Sequence, residues 1–177
     1  SGQTSNSCGA TSHTREWCNG SRRRREDAAK NGGLVEVSLV DPDYLYLIWD
    51  ETSSVLDRSI GTAHGRYSLD HIAHEIMIGE QHLWIVFDDD KKVISALTTK
   101  FVSYPGKRLL AGQFLGGERI MRWRDSMLET LERWAVDNNC DGMEMTGRRG
   151  FERILKPHGW TPEYTVFEKM FEEKDNG

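Results

Sequence analysis

Between Lys107 and Asn139 the chain spells a strand, a glycine turn and a long helix, and this succession narrows the folds open to it. Arg108-Leu109-Leu110-Ala111-Gly112-Gln113-Phe114-Leu115 has the texture of a strand, and Gly116-Gly117 that of a turn. From Glu118 to Asn139, residues Ile120, Trp123, Met127, Leu128, Leu131, Trp134 and Ala135 fall at the i, i+3, i+4, i+7 spacing of one buried helical face. A helix entered this way begins with backbone N–H groups that have no partner within it, and its dipole adds partial positive charge there. Such an end can hold a phosphate.

Upstream, Leu34-Val35-Glu36-Val37-Ser38-Leu39-Val40 alternates as a strand, and Asp41-Pro42 opens a helix as N-cap and first helical residue. That helix carries Tyr44, Leu45, Leu47, Ile48, Val55, Leu56 and Ile60, and Thr52-Ser53-Ser54 is a place where it could break. Ser68 is the expected N-cap of a second helix, with Ile72, Ile76 and Met77 on its apolar side. A β-meander follows. Leu83 to Phe87 is a buried strand, Asp88 to Lys91 a turn, Val93 to Tyr104 a longer strand, and Pro105-Gly106 the turn into the strand before the long helix. Their short loops make these strands antiparallel neighbours. Beyond the long helix come a short strand, Met143 to Met145, the loop Thr146 to Gly150, and a short helix, Phe151 to Leu155. A last strand is expected from Tyr164 to Phe171.

Residues 1–33 hold six Lys/Arg and three Asp/Glu, a net of +3; removing them from the totals of 23 and 28 leaves 17 and 25, a net of −8 for the remainder. The first stretch, rich in Ser, Gly, Asn and Arg, cannot bury enough apolar surface to offset its ordering entropy, so a disordered tail is expected there. Its run Arg22-Arg23-Arg24-Arg25 could touch phosphates or an acidic partner, but a solvated tail is the simpler account. Residues 34–177 then form one domain. Its acidic balance argues against general nucleic-acid binding. No apolar run approaches the roughly 20 residues that span a bilayer, and there is no leader-like apolar region at the N-terminus. A cytoplasmic protein with no membrane partner is the expectation.

The cysteines, Cys8, Cys18 and Cys140, form neither a disulfide framework nor a four-ligand zinc site. Cys140 suits a small buried residue better than a nucleophile. His71 and His74 stand at i, i+3, which departs from the i, i+4 spacing of helical metal pairs, so no metal is expected. Arg148-Arg149, with Arg153 and Lys156, makes a local basic cluster that could clamp a phosphate, a carboxylate or an acidic surface, or could be a solvated helix start. No Ser-His-Asp elbow, Walker loop or dinucleotide fingerprint is present.

The element order, the two hairpin turns, the strand–Gly116-Gly117–helix junction and the ending Phe151-Glu152-Arg153-Ile154-Leu155-Lys156-Pro157-His158-Gly159-Trp160 together resemble the GNAT superfamily of acyl-CoA-dependent N-acyltransferases. The resemblance implies an α/β fold with a mixed, mostly antiparallel sheet flanked by helices. It implies acetyl-CoA or another acyl-CoA as cofactor, held by backbone groups of Phe114, Leu115, Gly116, Gly117, Glu118 and Arg119. It implies a small-molecule or peptide amine as acceptor, and a general base, for which Glu144 is the candidate.

The chain departs from the family pattern in three places. The second spaced glycine of the loop is missing, and Glu118 brings a carboxylate to where a pyrophosphate would sit. Leu155 occupies the position at which the family often has a Tyr to protonate the leaving thiolate, which passes that role to Tyr164 or His158. Gln113, on the strand that often supplies the base, is no base.

Trp123-Arg124-Asp125-Ser126-Met127-Leu128-Glu129, with Phe151 to Gly159, is also similar to small GNAT-like proteins of T7-like short-tailed phages, an internal virion protein among them. That resemblance implies a phage-encoded chain, in the host cytoplasm or the virion, whose partner is a virion or host protein. Two functions therefore stand side by side: acyl transfer to an amine, and a non-catalytic scaffold for protein contacts.

Overall fold

The computed structural model describes residues 35–61 and 65–171. The expected tail, residues 1–33, lies outside the described residues, as does Leu34. Two compact units make up the chain, one ending at Met145 and one beginning at Thr146.

The first unit is a five-stranded sheet in the order β1 (Glu36–Leu39), β2 (His82–Phe87), β3 (Val93–Tyr104), β4 (Lys107–Gly117) and β5 (Gly142–Met145). Neighbours are antiparallel except β4 and β5, which run parallel. Between β1 and β2 the chain makes a 3-10 turn, Pro42–Tyr44, and two helices, α1 (Leu45–Gly61) and α2 (Leu69–Met77). The helix α3 (Ile120–Asp137) makes the crossover that parallel β4 and β5 require.

Alternate strand residues point to opposite faces, so the sheet builds two cores. On one face Leu83, Ile85, Ala96 and Phe114 pack with Leu45, Leu56 and Ile60 of α1 and Ile72 and Ile76 of α2. On the other, Trp84, Val86, Leu97 and Leu110 pack with Trp123, Met127, Leu131 and Ala135 of α3. Interior β2 contributes to both, which is why its apolar residues run without interruption.

Local details refine the sequence expectations. Asp41 caps the 3-10 turn through its Oδ1, 3.0 Å from the Asp43 amide, and α1 starts only after that turn. Helix α1 then runs unbroken through Thr52-Ser53-Ser54, because the Ser53 hydroxyl donates back to the Asp50 carbonyl at 3.1 Å while Thr52 is buried. Ser68 caps α2 as expected, accepting from the His71 amide at 3.2 Å.

Two register shifts bend the sheet. Val86 pairs with Ser95 and Phe87 with Val93, which leaves Ile94 as an extra residue on β3. Thr98 pairs with Phe114 and Thr99 with Gly112, which leaves Gln113 as an extra residue on β4. Bulges of this kind locally interrupt a ladder and re-aim the strand.

The second unit holds the short helix α4 (Gly150–Leu155) and a 3-10 turn, Lys156–His158. Gly159 ends that turn at φ +81, donating to the Lys156 carbonyl at 3.1 Å. Tyr164 to Phe171, expected as a last strand, carries neither helix nor strand. Alternation makes a segment fit for a sheet, but only a neighbouring strand can complete its hydrogen bonds.

Candidate functional site

The Gln113 bulge falls where β4 and β5 part. Their pairing runs from Leu109 opposite Gly142 to Gly112 opposite Met145 and stops there, while β4 continues to Gly117. From Gln113 to Gly117 the backbone on that side of β4 has no partner strand among the described residues. An unpaired edge of this kind offers N–H and C=O groups to whatever extended group lies beside it.

This edge leads straight to the start of α3. A Cβ on Gly116 would come within 2.0 Å of the Val55 carbonyl oxygen, so α1 crosses β4 there at a distance only glycine permits. Gly117, at φ +129, would set a Cβ 2.6 Å from the Ile94 carbonyl oxygen. The glycine pair thus lets the strand pass its own neighbours, α1 and β3. The bulged Ile94 turns its carbonyl to the Glu118 amide, 3.0 Å away, and the Glu118 carbonyl accepts from Trp123 Nε1 at 2.7 Å. Ser95 Oγ donates to the Gly116 carbonyl at 2.7 Å.

Helix α3 therefore begins at Ile120, two residues later than its periodicity suggests, and Glu118 lies outside its first turn. That first turn contains no acidic residue. The N-cap is Arg119, held in the left-handed region at φ 54, ψ 39, and its side chain makes no capping bond. The Arg122 amide donates to the Arg119 carbonyl at 2.8 Å, and with no side-chain cap the Ile120 and Met121 amides are the ones left to an anion. Phe114, Leu115, Gly116, Gly117, Glu118 and Arg119 are thus brought into one continuous strand-to-helix junction, with Phe114 buried and Glu118 and Arg119 exposed.

Glu144 lies on β5, opposite Ala111 of β4. Its carboxylate accepts from the Tyr104 hydroxyl, at 3.0 Å to Oε1 and 3.3 Å to Oε2. Tyr104 ends β3, so the contact spans β4, and the small Ala111 lies opposite Glu144 on that intervening strand. The sequence holds no local sign of this pair, whose members stand 40 positions apart. Nor does it mark Gln113 as a bulge, because a bulge is a property of register between strands.

Tyr164, the other catalytic candidate, belongs to the second unit and is 90% exposed. In that unit Arg148, Arg149, Arg153 and Lys156 are all exposed on the loop, α4 and the following turn. Cys140, after α3, is half-buried, and burial pushes its thiol pKa up. Among the described residues no group of three His, Cys, Asp or Glu could hold a metal ion, and no helix is long and apolar enough to cross a membrane.

No family model matches the chain, and no curated protein does. Solved structures do match. A predicted acetyltransferase from Clostridium acetobutylicum, solved with acetyl-CoA, superposes with a TM-score of 0.58 at 13% identity, over 77% of this chain and 96% of that one. An aminoglycoside N-acetyltransferase, AAC(6')-Iy, in complex with CoA gives 0.56 at 11% identity, over 78% and 96%. An aminoglycoside acetyltransferase from an uncultured soil metagenomic sample, in complex with sisomicin, gives 0.54 at 11% identity, over 79% and 97%. The chain has the GNAT acetyltransferase fold. At these identities the likeness is one of architecture, and it covers nearly the whole length of each GNAT-fold neighbour.

Proposed function

We propose that this chain is an acyl-CoA-dependent N-acyltransferase acting on a primary amine, with acetyl-CoA as the simplest donor. One observation carries the reading: β4–β5 pairing ends at Gly112, beside the Gln113 bulge, and beyond it the β4 edge, unpaired among the described residues, runs into an α3 N-terminus with no side-chain cap. Solved neighbours of the same fold hold acetyl-CoA or CoA, and one holds an aminoglycoside, a polyamine. The residues present suit such a donor. The β4 edge would pair with the amide-bearing arm of the CoA, and the Ile120 and Met121 amides of α3, with the Arg119 guanidinium, would face its pyrophosphate.

Bound there, acyl-CoA would supply an acyl group activated as a thioester. The Glu144 carboxylate, held by Tyr104, takes up the proton that the amine loses as its nitrogen bonds to the acyl carbon. The carbon–sulfur bond would break in the same exchange, and the departing thiolate would take its proton from water. Calorimetric titration with acetyl-CoA, followed by assay of thiol release with a panel of amines, tests this. Binding and amine-dependent thiol release are expected; no heat at millimolar acetyl-CoA would sink the reading.

A second reading keeps the fold and drops the chemistry. In it a phage-encoded chain serves in the host cytoplasm or the virion as a scaffold for virion or host proteins. Gln113 on β4 and Leu155 on α4 favour it, since neither side chain can move a proton at neutral pH. Amine-dependent turnover would remove it.

A further inference from the structure

Glu144, the proposed base, has a lysine at its own level on the same face of the sheet. Lys100 of β3 pairs with Ala111 of β4, and Ala111 pairs with Glu144 of β5, so these residues stand in one row across the strands. Residues paired across a sheet point to the same side of it. That side is the one away from α3, because Leu110, next to Ala111, is the residue that packs on α3. Tyr104 shares it too: no register shift falls between Lys100 and Tyr104, and the Tyr104 hydroxyl reaches the Glu144 carboxylate. All of them belong to the first unit.

Within this row the Lys100 ammonium has no counter-charge. Two strand spacings set Lys100 and Glu144 roughly 10 Å apart at their backbones, and Ala111 sends only a methyl group between them. The two form no ion pair with each other, and among the described residues no hydrogen bond or ion pair engages the Lys100 side chain. Glu75 of α2 is already occupied, accepting from Gln81 Nε2 and lying 3.7 Å from His71 Nε2. Lys107, the other lysine on this side of the β3–β4 hairpin, stands at the turn and is exposed, whereas Lys100 is half-buried. A half-buried ammonium without an anionic neighbour is one that a bound anion would satisfy.

We propose, resting on the acyltransferase reading above, that Lys100 sets the acceptor class: an amine that carries its own carboxylate, with its nitrogen at Glu144 and its carboxylate at Lys100. A polyamine would set a second positive charge against Lys100, and a neutral amine would leave that ammonium unpaired, so both should be poorer acceptors. The test is thiol release by the full chain with acetyl-CoA and glycine, β-alanine or γ-aminobutyrate, each against its own amide and against putrescine. For at least one of these amino acids kcat/KM should exceed that of its amide by about ten- to a hundredfold, the worth of one charge-assisted hydrogen bond. In Lys100→Met, which keeps the length and loses the charge, that ratio should fall to near one. Lys100→Arg should restore much of it, and Lys100→Glu should turn the preference toward putrescine. Lys107→Met, the control, should keep the wild-type ratio, and thermal unfolding checks that each variant is folded. Amino acids no better than their amides, or a ratio that Lys100→Met leaves unmoved, would overturn the acceptor class and leave acyl transfer standing. No thiol release with any amine would sink the acyltransferase reading, and the acceptor class with it.

Discussion

The hydroxyl of Tyr104 donates to the carboxylate of Glu144 across the width of β4, 3.0 Å from one oxygen and 3.3 Å from the other. The single hydroxyl proton, shared unequally between the two oxygens, biases the carboxylate toward one orientation, which is what a base needs if its target proton arrives in one place. If Glu144 is the base, Glu144→Gln removes the proton acceptor and keeps the shape. The turnover number should then fall by about 10²–10⁴-fold, with little change in acetyl-CoA affinity. Tyr104→Phe removes only the orienting bond, so its loss should be smaller and should fall on kcat more than on KM. Steady-state thiol release on the three proteins gives the answer. Equal activity of Glu144→Gln and wild type would move the base elsewhere.

Arg119 offers a way to separate binding from stability. Its φ of 54 is strained for a residue with a Cβ and ordinary for glycine. Arg119→Gly should therefore leave the fold as stable as before, or more stable by up to about 1 kcal/mol. The same change removes the guanidinium beside the α3 N-terminus, and acetyl-CoA should bind about three- to tenfold more weakly. Denaturant titration reads the first effect and calorimetry the second. Unchanged affinity would mean that the anion site lies elsewhere.

Gly116 marks where the fold has no room to give. A Cβ at this position would lie 2.0 Å from the Val55 carbonyl oxygen and 2.8 Å from its carbon, both backbone atoms of a helix packed on the sheet. Gly116→Ala must push α1 away from β4, which should cost about 3 kcal/mol or more. Gly112→Ala is the control, since there a Cβ would meet Met145 side-chain atoms at 3.4 Å and the Glu144 carbonyl oxygen at 3.8 Å, which is ordinary van der Waals contact. Urea unfolding of the pair should show a large loss for the first and a small one for the second.

Much of this architecture could be read from the chain because its elements are signalled locally. Ser68 is a cap by its own hydroxyl, and the Trp123 to Ala135 face of α3 repeats at the helical period. The glycine pair could be located but not explained, since what it makes room for, the Val55 and Ile94 carbonyls, comes from remote elements. The position of Glu118 depends on the same remoteness. Its amide is fixed by Ile94, which sits in a bulge, and this places the carboxylate outside α3. Tyr104 and Glu144 could not have been paired beforehand, because a contact across β4 follows from strand order alone. Tyr164 to Phe171 shows the converse: a segment with the right alternation whose ladder partner the sequence does not supply.

Trp123 anchors both α3 and its approach: its ring is 3% exposed in the core under the sheet, and its Nε1 ties down the Glu118 carbonyl. Trp123→Ala removes a large buried side chain and that bond together, and should cost about 3–5 kcal/mol in urea unfolding. A loss well below 1 kcal/mol would mean that α3 does not pack on the sheet by this face.

His82 contributes to how stability depends on pH. Its ring lies edge-on to Phe101 and Trp134, at centroid distances of 4.8 and 5.8 Å, with Nδ1 3.3 Å from the Thr99 carbonyl oxygen. Burial against these rings holds its pKa below the usual histidine value, and the Thr99 carbonyl offsets this only in part. The folded state thus binds its proton less readily than the unfolded chain does. Below the unfolded value near 6.5, the unfolded chain takes up a proton that the folded chain still refuses, so stability falls with pH until the folded pKa is passed. Well above pH 7 the residue is neutral in both states and contributes no slope. Replacing it by a ring that cannot titrate, His82→Phe, should flatten the stability profile between pH 7 and 5 relative to wild type. Thermal unfolding of both proteins across that window decides it, and parallel profiles would assign the acid sensitivity to other groups.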